Sequence, residues 1–331
     1  MEAYIIKLFQ FLVFLIIQIP FIPLVIIGSI PMLYKEMKVS KKLGVSFTAG
    51  QAIQNRWIMH YFRTRDDEAS VKFVKELPIE SHYGFLGFMG AAIIANRICG
   101  YKPSLASIPE PGTETLTTFI NSRTMHFDRI MEKNVEQAEQ VVNMGAGFDL
   151  RVLKYTKGKD VKVFELDQEK TQNMKIATMK KADIEHDWVT YIPVDFNKES
   201  WVEKLIKNSF DRTKRTFFLW ESVACYLEED VAKDTLKKMA DISGRGSIIT
   251  MDFYSKVFLK GETSRAMKKS ADLMKKMGEP WIFGIDMSED ARGNIESLLK
   301  ESGLTLKDFV LFGEKNKTKK PFYAIAEAER R

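Results

Sequence analysis

The residues best suited to chemistry lie near the middle of the chain, where an apolar run, 140–144 (QVVNM), is followed at once by Gly145-Ala146-Gly147-Phe148-Asp149-Leu150-Arg151. A strand, a tight glycine turn and a helix make up the layout of a nucleotide crevice, because glycines let the backbone come close to a ligand at the carboxyl edge of a sheet. The next apolar run, 161–166, ends in Phe164-Glu165-Leu166-Asp167, which puts Asp167 22 positions beyond Gly145. A carboxylate there can accept both ribose hydroxyls of an adenosine. Glu165 and Asp167 are two residues apart and share a face while the strand lasts, so either is a candidate for the ribose.

The third glycine position decides which nucleotide. A dinucleotide turn of the GxGxxG kind needs Gly or Ala at position 150, where helix and strand press together beside a pyrophosphate. This chain has Leu150, preceded by Asp149, and no GxxxxGK[ST] loop occurs anywhere. An anion would be poorly received beside Asp149. A cationic ligand without phosphates, such as the sulfonium and amino-acid end of S-adenosylmethionine (SAM), suits the position better.

The elements that must position these residues follow from the pattern past residue 112. Short β-type runs (QVVNM, VKVFEL, WVTYIPV, TFFLW and SIITMDF) are separated by helical stretches such as 168–181 and 228–241. That alternation predicts an α/β domain with a parallel sheet. Two late runs, 305–312 and 321–326, are expected to form an antiparallel pair at one end, with helices at 264–277 and 288–302 covering an acceptor pocket.

Taken in order, VVNMGAGFDLR, VFELDQEKTQNMK, the triplet Val194-Asp195-Phe196, FFLWESVACYLEEDVAKDTL, SIITMDF and GEPWIFGID resemble the leucine carboxyl methyltransferase and related bacterial SAM-dependent O-methyltransferase family. The resemblance runs from about residue 121 to the end. It implies a Rossmann-like class I methyltransferase with a doubly wound, seven-stranded, mostly parallel sheet and SAM as cofactor. It further implies that Gly145, Ala146 and Gly147 form the turn beneath the cofactor, that Asp167 holds the ribose with Glu165 beside it, and that Asp195 and Phe196 lie near the adenine. Arg123, in Ser122-Arg123-Thr124, is similar to the arginine such enzymes place on the methionine carboxylate, a task suited to a bidentate guanidinium. Glu221 is similar to the acid that faces the amino group or the acceptor. The family usually reads GAG-x-D-T-R where this chain has Leu150, and often Glu-Gly where it has Glu221-Ser222.

Methyl transfer from a sulfonium is an in-line displacement on an already activated carbon, so positioning and exclusion of water are most of the task. A carboxylate acceptor needs no base near neutral pH, whereas an aliphatic alcohol gains from one. Glu221, His126 and Tyr226 are the catalytic candidates, His126 because it lies near Arg123 in sequence. Two other readings compete: a catalytically silent SAM-binding membrane scaffold, and an oxidoreductase with an atypical dinucleotide turn, for which Leu150 is adverse.

The amino-terminal third has a different character. Residues 8–34 are 27 positions without a charge, long enough at 1.5 Å per residue to cross a hydrocarbon core of about 30 Å. The expectation is one transmembrane helix, kinked at Pro20 and Pro23. Residues 35–65 carry seven basic residues against Glu36, which accounts for the whole net charge of +6. So local a collar argues against a nucleic-acid partner and for anionic lipid headgroups, with the collar and all that follows on the cytosolic side. Residues 47–62 have helical spacing, as an interfacial or a packing helix. The apolar stretch 83–95 is too short to cross and reads as a buried or lid helix or a second membrane contact. Three regions result: an anchor at 1–34, a basic and helical lid or membrane-associated segment at 35–112, and a methyltransferase domain at 113–331. The expected acceptor is a small or lipid-like molecule. Two cysteines, Cys99 and Cys225, with no CxxC or Cys/His spacing, argue against a zinc module or a disulfide framework.

Overall fold

The computed structural model describes residues 2–262, 265–315 and 320–331. Contacts divide the chain into two compact units, Met1–Ile108 with Met174–Ile184, and Pro109–Asn173 with Glu185–Arg331.

The first unit is helical. Helices α1 (Glu2–Gln18) and α2 (Ile22–Tyr34) are joined by a 3-10 turn, Ile19–Phe21, and a π-turn, Lys35–Val39, leads into α3 (Ser40–Leu43). Among the described residues this rod contains one helix long and apolar enough to cross a membrane, Ile5–Leu43. Pro20 stands inside the 3-10 turn, and Pro23 is in the first turn of α2. A proline there cannot continue the α-type ladder, since it has no N–H to give.

Three further helices complete the unit: α4 (Phe47–Tyr61), α5 (Glu68–Glu76) and α6 (His82–Cys99). Each begins on a polar cap that takes an otherwise orphaned N–H: Ser46 accepts from Ala49, Asp67 from Ser70 and Ser81 from Gly84. Helix α4 buries Phe47, Ile53, Trp57 and Met59, so it packs. Helix α6 covers the short apolar stretch and continues to Cys99, because Asn96 donates its side-chain amide to the Tyr101 carbonyl at 2.9 Å. It too is mostly buried.

The glycines spaced along α6 explain its seat. A Cβ on Gly28 of α2 would lie 2.6 Å from the Phe88 nitrogen and 2.7 Å from the Gly84 oxygen, and one on Gly87 would lie 3.1 Å from the Gly28 Cα. The two helices therefore touch backbone to backbone, as small residues allow. A Gly28→Val variant should lose about 1–3 kcal/mol through forced separation. Gly90→Ala, with nothing within 4 Å of its added methyl, should be neutral or better. Thermal melts of both in detergent check the pair.

The second unit is built on a seven-stranded sheet ordered β3-β2-β1-β4-β5-β7-β6. The strands are β1 (Gln140–Met144), β2 (Lys162–Asp167), β3 (Val189–Pro193), β4 (Thr216–Trp220), β5 (Ile248–Tyr254), β6 (Leu304–Phe312) and β7 (Tyr323–Arg330). The first five are parallel neighbours, and β7 runs antiparallel to both β5 and β6. This is the Rossmann-like, seven-stranded, mostly parallel sheet expected from the sequence, terminal antiparallel pair included. Strands β1, β4 and β5 are buried at every position, as befits a sheet covered on both faces.

The helices between strands are α7 (Phe119–Val135), α8 (Arg151–Thr156), α9 (Glu169–Lys181), α10 (Trp201–Lys207), α11 (Glu229–Asp241), α12 (Lys256–Leu259), α13 (Arg265–Met277) and α14 (Ala291–Glu301). The expected start of α13 at Ser264 lies outside the described residues.

Candidate functional site

The crevice lies at the carboxyl ends of β1, β2 and β4. Gly145 and Gly147 both adopt left-handed backbone, with φ of 66° and 50°. The first position is closed to any side chain, since a Cβ there would sit 2.4 Å from Val223 Cγ2. The N–H groups of Gly145 and Ala146 both donate to the Leu166 carbonyl, at 2.8 and 3.1 Å, tying the turn to β2. Gly147 N–H donates to Asp167 Oδ2 at 2.5 Å and Gln168 N–H to Asp167 Oδ1 at 2.6 Å. The half-buried Asp167 carboxylate is thus oriented by two backbone donors at the lip of the turn. A carboxylate has about four lone-pair directions, and one oriented in this way suits a ribose diol.

Glu165, the other ribose candidate, is 1% exposed. It sits level with Tyr191 of β3, whose hydroxyl titration is pushed upward by burial and then by the Glu165 charge. Asp167, by contrast, is half-buried at the strand end. Asp195 follows β3 and pairs with Lys198 at 2.9 Å, the contact that most holds its carboxyl below the usual range. Phe196 packs on the apolar core.

Behind the turn is an ionic cluster that sequence reading did not foresee. Arg151, fully buried at the start of α8, faces three acids: Asp128 Oδ1 at 2.6 Å, Asp149 Oδ2 at 2.8 Å and Glu221 Oε2 at 2.6 Å. The other oxygen of Glu221 lies 2.9 Å from Arg123 Nε. Arg123 Nη1 donates to the Tyr254 hydroxyl at 3.2 Å. Burial alone would lower the titration of both arginines, but the facing acids and tyrosines hold it well above the usual arginine range. Both stay cationic. Next to them Asp252 accepts from Ser222 N–H at 2.7 Å, from Ser222 Oγ at 3.0 Å and from the Tyr323 hydroxyl at 2.5 Å. Burial, only partly opposed by Arg123, raises the Asp252 carboxyl.

Arg123 and Glu221 are therefore brought together. His126 is not brought to them: its ring stacks near Phe312 of β6 at 5.6 Å, and burial lowers its titration first, then the Arg129 charge. Tyr226 closes a short 3-10 turn, Ala224–Tyr226, and is half-buried. Among the described residues no cluster of His, Cys, Asp and Glu could hold a metal ion.

Ser222 explains one departure from the family pattern. Its φ is 55°, a left-handed conformation that costs a non-glycine residue about 1–2 kcal/mol. Its side chain and N–H both hold Asp252, which offsets that strain. Ser222→Gly should change stability by less than about 0.5 kcal/mol, relief of strain cancelling one lost hydrogen bond worth about 1 kcal/mol. Ser222→Val loses the bond and keeps the strain, and should cost at least about 2 kcal/mol. Urea titration of the two variants gives both numbers.

With this geometry in place, comparison with known proteins becomes informative. The family model of leucine carboxyl methyltransferase matches residues 95–240. This stretch is leucine carboxyl methyltransferase-like. YktD of Bacillus subtilis, whose name assigns it SAM-dependent methyltransferase activity, is 27% identical over 172 residues, 51% of this chain and 55% of that protein. A Mycobacterium marinum protein similarly named is 29% identical over 171 residues, 51% of this chain and 52% of its own length. This chain thus spans about half the length of the curated relatives it matches.

Among solved structures, an O-methyltransferase family protein from Burkholderia thailandensis aligns over 64% of this chain and 57% of its own, with a TM-score of 0.44 and 11% identity. Magnesium protoporphyrin IX methyltransferase from Synechocystis, solved with bound S-adenosylhomocysteine, aligns over 67% of this chain and 90% of its own, with a TM-score of 0.42 and 12% identity. In the methyltransferase-like stretch, the glycine turn, Asp167, Arg151 and Glu221 all fall within the matched residues.

Proposed function

We propose that this chain is a membrane-anchored SAM-dependent methyltransferase that acts on a carboxylate or hydroxyl of a hydrophobic acceptor. The observation that carries the reading is the charge around the glycine turn. Asp128, Asp149 and Glu221 face Arg123 and Arg151, three acids against two arginines, a net of −1 before Asp252 and Asp167 are counted. A surface so charged favours a sulfonium and an ammonium and disfavours a pyrophosphate. Asp149 already caps the Arg151 N–H at 2.6 Å, so the place where a dinucleotide phosphate would sit is held by a carboxylate.

The residues present fit the cofactor. Asp167, oriented by two backbone N–H groups, presents its carboxylate at the turn in the place suited to the ribose hydroxyls. Arg123 uses Nε toward Glu221 and Nη1 toward Tyr254, and nothing among the described residues takes Nη2, which suits a carboxylate. When bound, SAM supplies an electrophilic methyl group. This chain's own part is to hold the nucleoside, fix the arginine and keep the site dry. Glu221 has one oxygen toward each guanidinium, so its role is to position Arg123 rather than to take a proton. Asp128 and Asp149 are likewise engaged by Arg151, and Asp252 by Ser222 and Tyr323, and a carboxylate acceptor, already ionised, needs none of them as a base.

Incubation of the full-length protein with methyl-labelled SAM and a lipid extract should transfer label to an extractable, base-labile ester. Binding of SAM without any transfer would instead favour the silent-scaffold reading, which the engaged state of Glu221 also permits. Binding of NADH in place of SAM would favour the oxidoreductase.

A further inference from the structure

The sequence pattern reads residues 8–34 as a crossing, and the packing of the first unit shows what the rod meets on each side. Its two sides differ in kind. The outward side presents Phe9, Ile16, Ile19, Ile27, Ile30 and Tyr34, each more than 60% exposed. The three polar side chains between residues 8 and 34 (Gln10, Gln18 and Ser29) are half-buried, and Gly28 is buried, on the other side. A lone crossing helix meets lipid all round. This one has a lipid-like side and a protein side along its whole length.

The protein side is covered by α6 running antiparallel to it. Gly28 meets Gly84 and Gly87 at one end, while Phe11 and Phe14 meet the Tyr101 ring, at 5.2 and 4.9 Å, at the other. Helix α4 lies along α6 in turn: Gln54 bonds Glu80 at 2.8 Å, Trp57 packs on Phe85 at 5.2 Å and Arg97 reaches the Tyr61 carbonyl at 3.5 Å. Helix α5 returns from the Tyr61 end to the Glu80 end, carrying an exposed Glu68–Lys72 ion pair on its surface. Helices α6 and α4 and the short, charged α5 thus lie side by side along part of the apolar rod. Were the rod to stand upright in a bilayer, the charges of α5 would stand at hydrocarbon depth, which lipid does not tolerate.

We propose that the rod lies parallel to the membrane plane, its outward side sunk into one leaflet of anionic phospholipid. The charges at its ends agree. Lys7 at one end and Lys38, Lys41 and Lys42 at the other are all exposed, and in this orientation all of them reach the same layer of headgroups. The basic collar is narrower than its sequence implies. Arg56 and Arg65 are buried, Arg65 pairing with Asp67, and Lys35 donates to the Glu80 carbonyl at 2.6 Å. Of the collar, Lys38, Lys41, Lys42 and Arg63 stay exposed, and the three lysines stand beside the rod.

This inference rests on the membrane part of the proposed function and is independent of methyl transfer. Full-length Lys7→Cys and Lys42→Cys variants, each in a Cys99→Ser background, are expressed in bacterial spheroplasts and treated with a membrane-impermeant maleimide before and after lysis. The expected result is loss of labelling at both positions in intact spheroplasts, full labelling of both after lysis, and sedimentation of the protein with membranes through a high-salt wash. Labelling of Lys7→Cys in intact spheroplasts would establish a crossing and overturn the in-plane seat while leaving the membrane attachment standing. Recovery of the protein in the supernatant, as monomer or as a dimer closed over the apolar side, would overturn both.

Discussion

Replacing Asp167 with alanine should weaken SAM binding by about 30- to 150-fold, the loss of about 2–3 kcal/mol of charge-assisted hydrogen bonding to the ribose. The effect has two sources. Asp167 is the candidate acceptor for the sugar, and it also receives the Gly147 N–H at 2.5 Å, so its loss frees the turn as well. Asp167→Asn separates them, since the amide oxygen still accepts from Gly147 while the negative charge is gone. Its affinity should fall between those of the parent and the alanine variant. Isothermal titration of SAM against all three proteins in detergent measures the series, and unchanged affinity in Asp167→Ala would remove the basis of the nucleoside site.

Arg151→Ala carries the larger structural penalty. The guanidinium is the shared partner of Asp128, Asp149 and Glu221, and deleting one side of a buried ion cluster typically costs about 3–5 kcal/mol, because the remaining charges stay buried without it. The second unit should melt well below the parent, and the Glu221 carboxylate, released on one side, should no longer hold Arg123. Arg151→Lys keeps the charge but offers one compact ammonium where a planar fork meets three carboxylates, so it should recover only part of the loss. Thermal denaturation followed by circular dichroism checks the order parent, lysine, alanine. Equal midpoints for all three would mean that the cluster contributes nothing to the fold.

These two residues mark what the sequence discloses and what it hides. Asp167 was legible because the glycine turn and the strand end are local features: a run of apolar residues, a turn only glycine accepts, and an acid at a fixed distance. The strands were legible for the same reason, and β4 (Thr216–Trp220) coincides with its apolar run. Strand β7 was read short at 326 because Glu327 looks like a strand-ending charge. In the structure it is buried and takes Lys133 at 2.9 Å and Asn134 at 2.8 Å, so the strand continues to Arg330. Arg151 stands in the turn with nothing nearby in the sequence to mark its role. Its partners Asp128 and Glu221 stand 23 and 70 residues away, and only the packing of α7 and β4 beside α8 brings them together. The same holds for Asp252 and Tyr323, 71 residues apart across the β5–β7 pair. Amphipathic spacing predicted α4 but could not say which partner its apolar side meets. Likewise, the composition of 8–34 gave a lipid preference but no orientation, since orientation depends on what covers the other side.

The place of β7 between β5 and β6 bears on the order of events during synthesis. The ribosome makes residue 323 only after 288 further residues have followed Tyr34, the end of α2. At about 5–20 residues per second that interval is tens of seconds. Late in that interval, from the synthesis of β5 until residue 323 follows, β5 lacks its antiparallel neighbour and Asp252 lacks the Tyr323 hydroxyl, while the greasy amino-terminal helices are already free of the exit tunnel. If those helices seat on a lipid surface, their capture comes first, and the seven-stranded sheet then completes itself as a tethered nascent chain, where an open edge meets fewer other chains than it would in bulk solution.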